Sequence, residues 1–570
     1  MRRSIIVLLT ILLSLTLVGC DSSQNTTTEF DEWVDSLPLR LLDPQDTAFN
    51  QLFIHPEESL GQKKVELKWP EYSLEYNREY NATCDAIYEE LLAYDREALT
   101  TPQAETYDVL KWAFEPTDEE YIDAFYYIAN NPLGAYTGIL SNVMITFYYL
   151  NINDLMDVKS FVNLMDDLDD FAQTLIDFEK ERQDAGYGMS QDEVDMTIAD
   201  VNQTLAVADF SFIVDNFIEK INKTDLEAST KEAYITQVAS NFDEAMVEFY
   251  MIIKDGLESL TVKQIDDATL FDVPYGPEYY AQVVYATTGY TDMDEYRTYL
   301  ESLELRYASA ILEGYSDGLD GDIIYDSDDP EAVIAHLKEA MKEDFPETKD
   351  VEYKMIVAPD AMVSLMGATS AFYLIGALDD DTGVQQMTLV GDYDDSDFLT
   401  IAHEGYPGHM YQHIYDDNEN DTPYIIKMLA IDGYTEGYAN YVERYSAKYA
   451  DDPSLAGVQK DLESYTTIMC LLLDYDMHYL GKEDTSDLAA MIGVSNDSPL
   501  LDPLIRQVQM SPGIFIKYYV SGSQIADIHD EVDEVAGKDI SDLEFHTALL
   551  SHGPMPIELL RNYVLEDFSQ

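Results

Sequence analysis

The chain has 570 residues, 46% of them hydrophobic, so it can bury a large core, and its length accommodates several domains or one two-lobed body. Its 111 acidic residues against 32 basic give a net charge of −79. Such a field favours solubility and repels nucleic acid and anionic lipid surfaces, which excludes nucleic acid as a partner but identifies no function; most of the carboxylates are read as a solvated surface.

At the start of the chain, Arg2 and Arg3 precede an apolar run from Ile5 to Val18, followed by Gly19 and Cys20. The run is too short to span a bilayer comfortably and reads as a signal peptide over residues 1–19. Leu17-Val18-Gly19-Cys20 resembles a bacterial lipobox, which implies that Cys20 is lipidated and becomes the mature N-terminus. The competing reading is an ordinary secretory signal with an incidental cysteine. Residues 20–29 are then the lipidated cysteine and a polar tether, and the expected location is the cell membrane, lipid-anchored and facing outside the cytoplasm.

From Phe30 to about Leu260 apolar residues recur at three- and four-residue steps, as in Tyr121–Ile128 and Phe161–Met165, which predicts long amphipathic helices. Asn131-Pro132-Leu133-Gly134 and Asp184-Ala185-Gly186 are turn signals between them. No fixed-period repeat is evident, which argues against a solenoid. The loop Asp317-Gly318-Leu319-Asp320-Gly321-Asp322 lacks the oxygen-ligand spacing and the twelfth-position glutamate of a calcium loop and is read as a turn. Cys84 and Cys470, the cysteines beyond Cys20, fit one disulfide or two buried thiols and carry no catalytic role.

Between about 350 and 400 the pattern changes. Val351–Val357 alternates and is rich in β-formers, Ala371–Ile375 is a short apolar run, and Gln386–Val390 follows a turn at Asp379–Gly383. These predict a small sheet just before the most informative stretch, whose exposed edge could hold a peptide backbone by strand addition or simply be a structural hairpin. The expected fold is mainly α: a large helical two-lobed body with a small β-sheet next to the helix of the candidate site. An N-terminal helical region over 30–345 and a catalytic region over 346–570 are the expected domains.

That stretch is His403-Glu404-Gly405-Tyr406-Pro407-Gly408-His409. In H-E-x-x-H two histidines four apart bind zinc from one helical face and the glutamate acts as general base. Here the second histidine comes two residues late. Six residues of unbroken helix turn it about 240° away from the first. Pro407, however, lacks an N–H for the carbonyl of His403 and clashes with it, so the helix must break there. A two-residue bulge across Gly405 to Pro407 would return His409 to the face of His403, with Gly408 giving the backbone freedom to recover. Downstream, Glu436 and Glu443 lie seven apart on one helical face, so one can be the third ligand and the other can support a ligand histidine. Two histidines and one carboxylate leave a position for water, the catalytic arrangement. A competing set takes His409 and His413 as the pair and leaves His403 in support. His478 and His529 are isolated, and His546 and His552 are candidates to enter the cleft as donors.

His403-Glu404-Gly405-Tyr406-Pro407-Gly408-His409-Met410-Tyr411-Gln412 followed by Glu436-Gly437-Tyr438-Ala439-Asn440-Tyr441-Val442-Glu443 resembles a bacterial family long labelled a domain of unknown function, with H-E-x-x-P-G-H-x-x-Q and E-G-W-A-x-Y-x-E. That family looks like a distant relative of the thimet oligopeptidase and carboxypeptidase Taq zinc metallopeptidases. Pro512-Gly513 with Tyr518, and Phe545-His546-Thr547-Ala548-Leu549-Leu550 with Gly553, are similar to two further family segments. The resemblance implies zinc on His403, His409 and Glu436, with Glu404 as base, Tyr518 as oxyanion donor, and Glu443 and Gln412 in support. Tyr438 replaces the family tryptophan, and Ile514-Phe515 replace Gln-Ala, which leaves Tyr519 as a rival to Tyr518.

The expected function is therefore zinc-dependent hydrolysis, of peptide bonds first. Zinc polarises the carbonyl and lowers the pKa of its water to about 7, Glu404 carries the proton to the leaving amine, and Tyr518, with His546 second, donates to the oxyanion. Two rivals stand beside it: a binding lipoprotein that kept the metal but lost turnover, and a metal hydrolase of non-peptide amides.

Overall fold

The computed structural model describes residues 22–136, 138–264, 268–317, 323–327, 329–359, 363, 370–380, 383–391, 393–394, 397–496 and 498–569. It is 67% helix and 3% strand, so the interior is built almost entirely from helix packed on helix. The leader and Cys20 lie outside the described residues, as do Gly318–Asp322 of the acidic loop. No described helix is long and apolar enough to cross a membrane.

The helical periodicity translates directly. Ile122–Ala129 and Leu155–Asp166 are helices, the second capped by the Asp154 carboxylate on the N–H groups of Met156 and Asp157. Leu168–Ala185 ends where the turn signal stands, with Gly186 at φ +91°. One segment differs. The stretch expected as a polar tether is helical from Ser22, within Ser22–Asp35, because Phe30 and Val34 bury one helical face and the turns before them are carried along.

Most of the apolar core falls into two large clusters. One draws only on residues 67–257, with Phe147, Phe161, Phe217 and Phe242 at its centre. The other gathers residues from Phe30 to Val564 around the helices that follow residue 398. A third, from Tyr280 to Val520, lies beneath the helix Pro453–His478.

The three expected strands form one mixed sheet in the order β1-β3-β2: β1 is Tyr353–Val357, β2 Ala371–Leu374 and β3 Gln385–Leu389. β3 pairs parallel with β1 and antiparallel with β2. The connection from β2 to β3 docks on the N-terminal part of the chain, where the Asp379 carboxylate accepts the N–H groups of Ile54 and His55 at 2.7 and 2.9 Å. In the β2–β3 ladder, Val390 N–H donates to the Ser370 carbonyl and the register places Phe372 opposite Thr388. By the alternation of an antiparallel pair, the N–H groups of Ala371 and Tyr373 then face the outer edge of β2. That edge lies against the site described next.

Candidate metal centre

The helix Phe398–Glu404 stops at Gly405 and a new helix, His409–Glu419, starts after Gly408. Between them the Gly408 N–H reaches the Ala402 carbonyl at 3.0 Å, and the Tyr411 N–H reaches the Gly405 carbonyl at 3.1 Å. Both bonds span six residues where an α-helix spans four, so two residues are inserted and the helix resumes in phase. His403 and His409 thus stand as a pair four apart would, with ring centroids 4.8 Å apart and planes at 87°. Gly408, at φ −79° and ψ −138°, lies outside the helical and extended regions, and space requires glycine there as well, since a Cβ would lie 1.8 Å from the His403 carbonyl oxygen.

Glu436 comes from the helix Asp432–Tyr445. This helix crosses Ser521–Ala536 so closely that a Cβ on Gly437 would lie 2.7 Å from the Ser521 Cβ. The Tyr438 hydroxyl donates to the Pro407 carbonyl at 2.9 Å and ties the bulge to this helix. Glu436 Oε2 lies 3.2 Å from His409 Nε2 and 3.7 Å from His403 Nε2. Among the described residues, these three are the group whose donor atoms, all within 4.8 Å of one another, could hold a metal ion.

Two of the three donors, His403 and Glu436, are held from behind. His403 Nδ1 lies 3.1 Å from Glu443 Oε2, and that same oxygen meets Lys460 Nζ at 2.8 Å. Glu436 Oε1 accepts the Tyr518 hydroxyl at 3.2 Å, with Lys517 Nζ 4.0 Å away. Tyr518 belongs to a π-helical turn, Ile516–Val520, and its neighbour Tyr519 instead donates to Glu463. Glu404 Oε2 accepts the outward Tyr373 N–H of β2 at 2.6 Å.

The electrostatics call for a cation. Burial alone would lower the pKa of His403, but hydrogen bonds to Glu436 and Glu443 raise it to about 10. Burial would raise Glu436, and the two imidazoles hold it well below the usual carboxylate range. Two carboxylates around one imidazole demand a positive charge between them. Burial raises Glu404, with His403 and His409 opposing, and burial together with Glu436 raises Tyr518 far above the usual phenol range. The donor set suits zinc: two imidazole nitrogens and one carboxylate oxygen, at separations that bracket the about 3.3–3.4 Å between ligands of a tetrahedral ion.

The remaining candidates go elsewhere. His413 lies 3.3 Å from Asp417 and is not in the converging group. His546 is enclosed in the core: Nδ1 meets the Asp344 carbonyl at 2.7 Å, Nε2 meets the Tyr441 hydroxyl at 3.0 Å, the ring stacks on Phe345, and burial lowers its pKa to about 3. None of these contacts is to the triad or Glu404. His552 bridges Glu105 and Asp567, His529 stacks on Phe545, and His478 lies buried against the Val508 carbonyl. Gln412 is buried with its Nε2 unpartnered. Cys84 and Cys470 are free thiols. Lys460 and Tyr373 carry no local signal in the sequence, because each acts on a side chain brought to it by another element.

Comparisons with known proteins agree on a family and a fold. A solved structure described as "the putative lipoprotein from Colwellia psychrerythraea" superposes with a TM-score of 0.75 at 16% identity, covering 96% of this chain and 99% of that one. A second, "a putative lipoprotein of unknown function from Shewanella oneidensis", gives a TM-score of 0.59 at 13% identity, covering 96% and 100%. At such identities the likeness is one of fold. No curated protein matches the chain. The family model described as "Bacterial protein of unknown function (DUF885)" matches residues 56–306 and 327–564, most of the length, and the chain therefore belongs to the bacterial family of unknown function DUF885.

Proposed function

We propose that this protein is an extracytoplasmic, lipid-anchored, zinc-dependent peptidase. The observation that carries the reading is the convergence of His403, His409 and Glu436 with Glu404 beside them. When bound there, zinc supplies Lewis-acid polarisation of a carbonyl and makes water acidic enough to attack near neutral pH. His403 and His409 present Nε2, and Glu436 presents Oε2 while Tyr518 occupies its other oxygen. Glu404 accepts the proton of the attacking water and delivers it to the leaving amine. The Tyr518 hydroxyl, whose single proton rests on Glu436 Oε1 in this structure, turns from Glu436 to donate to the oxyanion that develops on the scissile carbonyl.

Peptide is favoured as substrate by the outer edge of β2. That edge runs past Glu404, which holds the outward Tyr373 N–H, and an extended peptide added along it as a further strand would lie beside the base. Lipid anchoring is supported by Leu17-Val18-Gly19-Cys20 and by the description of the two similar structures as lipoproteins. The metallopeptidase likeness of the H-E-x-x-P-G-H segment supports the chemistry.

The test is to purify the chain, measure bound zinc, and assay peptide libraries against Glu404→Gln. Zinc retained at the wild-type level with turnover lowered about 10²–10⁴-fold is expected. A folded protein that takes up no zinc, or a variant with undiminished turnover, would sink the reading.

A further inference from the structure

Lys460 is buried to 1% exposure in a chain with 111 acidic and 32 basic residues. Taking an ammonium out of water is expensive, and an apolar side chain of similar size would serve packing as well or better. Its neighbours show what the charge is used for. Lys460 Nζ lies 2.8 Å from Glu443 Oε2, the same oxygen that meets His403 Nδ1 at 3.1 Å. On its other side it lies 2.9 Å from Glu463 Oε1, which also accepts the hydroxyl of Tyr519. A continuous path therefore runs from His403 through Glu443, Lys460 and Glu463 to Tyr519, the neighbour of Tyr518 on the π-helical turn.

One donor on a carboxylate oxygen leaves the carboxylate free to pivot about it. Two donors from different elements, His403 before the bulge and Lys460 on Pro453–His478, fix its direction. With Glu443 so held, the His403 Nδ1–H has a fixed acceptor and the ring turns Nε2 toward Glu436 and His409. Glu463 holds Lys460 and Tyr519 together, so the same ammonium braces the turn that presents Tyr518.

We infer that Lys460 is a positioning residue of the metal centre, acting through Glu443 on His403 and through Glu463 on the turn that carries Tyr518. This rests on the zinc reading above.

The experiment measures zinc affinity of the full-length chain in detergent, by competition with a chromogenic chelator, for wild type, Lys460→Met, Lys460→Arg, Glu443→Gln and the Lys460→Met/Glu443→Gln double variant. Lys460→Met should bind zinc about 10–100-fold more weakly, as removal of an outer-shell partner generally does. Lys460→Arg, which keeps the charge, should recover most of that loss. In the Glu443→Gln background the Lys460→Met change should cost less than it does alone, because the route through Glu443 is already cut and only the one through Glu463 remains. The double variant leaves no unpaired buried carboxylate at 443, so it keeps the comparison open if Lys460→Met alone does not fold. Wild-type affinity in Lys460→Met, or a full additive loss in the double variant, overturns the positioning role while leaving the zinc reading intact. A folded wild-type chain that binds no zinc overturns both.

Discussion

Two buried ionic networks, one beside each large apolar cluster, differ in a way that separates structure from function. In the N-terminal half Glu179 and Arg182 are buried within one helix. Glu179 Oε1 accepts from Gln183 Nε2 and the Met189 N–H, Oε2 accepts from Arg182, and Arg182 donates onward to the Tyr127 carbonyl and Asn131. Each carboxylate oxygen meets a donor, so the network is complete as it stands. At the candidate metal centre His403, His409, Glu436 and Glu443 come from three helices, and the atoms turned inward are Nε2, Nε2 and Oε2. In the neutral form that a metal ligand takes, with Nδ1 donating to Glu443, His403 Nε2 is an acceptor facing the Glu436 acceptor, and in the absence of an ion a second proton on the imidazole fills that place. A closed network fixes a fold, whereas converging lone pairs ask for a cation.

The sharpest way to break this comparison is Glu436→Gln. Zinc binding should be lost, with activity falling to background, while the melting temperature of the metal-free protein stays near that of the wild type. Retention of stoichiometric zinc by this variant would remove the distinction between the networks. Next in size, Arg182→Met strands the Glu179 carboxylate in the core. It should lower stability by about 3–5 kcal/mol in denaturant unfolding and leave the zinc content of the folded fraction unchanged. Loss of zinc in that variant would mean that the two networks are not independent in this respect.

A pH-dependent effect concerns Asp474, buried beneath the π-helical turn. It accepts the Tyr280 hydroxyl at 2.6 Å and the Gly513 N–H at 3.1 Å, and burial raises its pKa from 3.8 to about 7. A carboxyl raised in the folded state binds its proton more tightly there than in the unfolded chain. Its penalty is therefore absent below pH 4, grows as the pH rises, and is complete above about pH 7. It should reach about 2 kcal/mol near pH 5.5. Asp474→Asn should lose this component, so melting curves of the two proteins should diverge between pH 4 and 7, the variant falling less. Parallel curves would show that Asp474 titrates normally.

Local order was legible from the residues alone: helices from three- and four-residue spacing, one strand from alternation and two from short runs set off by a turn signal, and a break at Pro407 because proline cannot continue the ladder. Legible too was the face shared by Glu436 and Glu443, which is helix geometry. The reading was less reliable wherever a partner came from far away. The segment after Cys20 reads as polar, yet it is helical because Phe30 and Val34 are anchored in the core. His546 and His552 look like free donors until Phe345, Tyr441, Glu105 and Asp567 are brought to them by other helices.

By itself, then, the sequence determined that a helix is interrupted by two extra residues between His403 and His409, since proline and the period of the helix are local properties of the chain. Only the tertiary structure decided that Tyr518 and not Tyr519 meets Glu436, that Tyr373 meets Glu404, and that a lysine seventeen positions beyond Glu443 completes its surroundings. Those choices depend on how helices cross, at Gly437 and Gly522 above all, and a crossing is set by side chains of two segments at once.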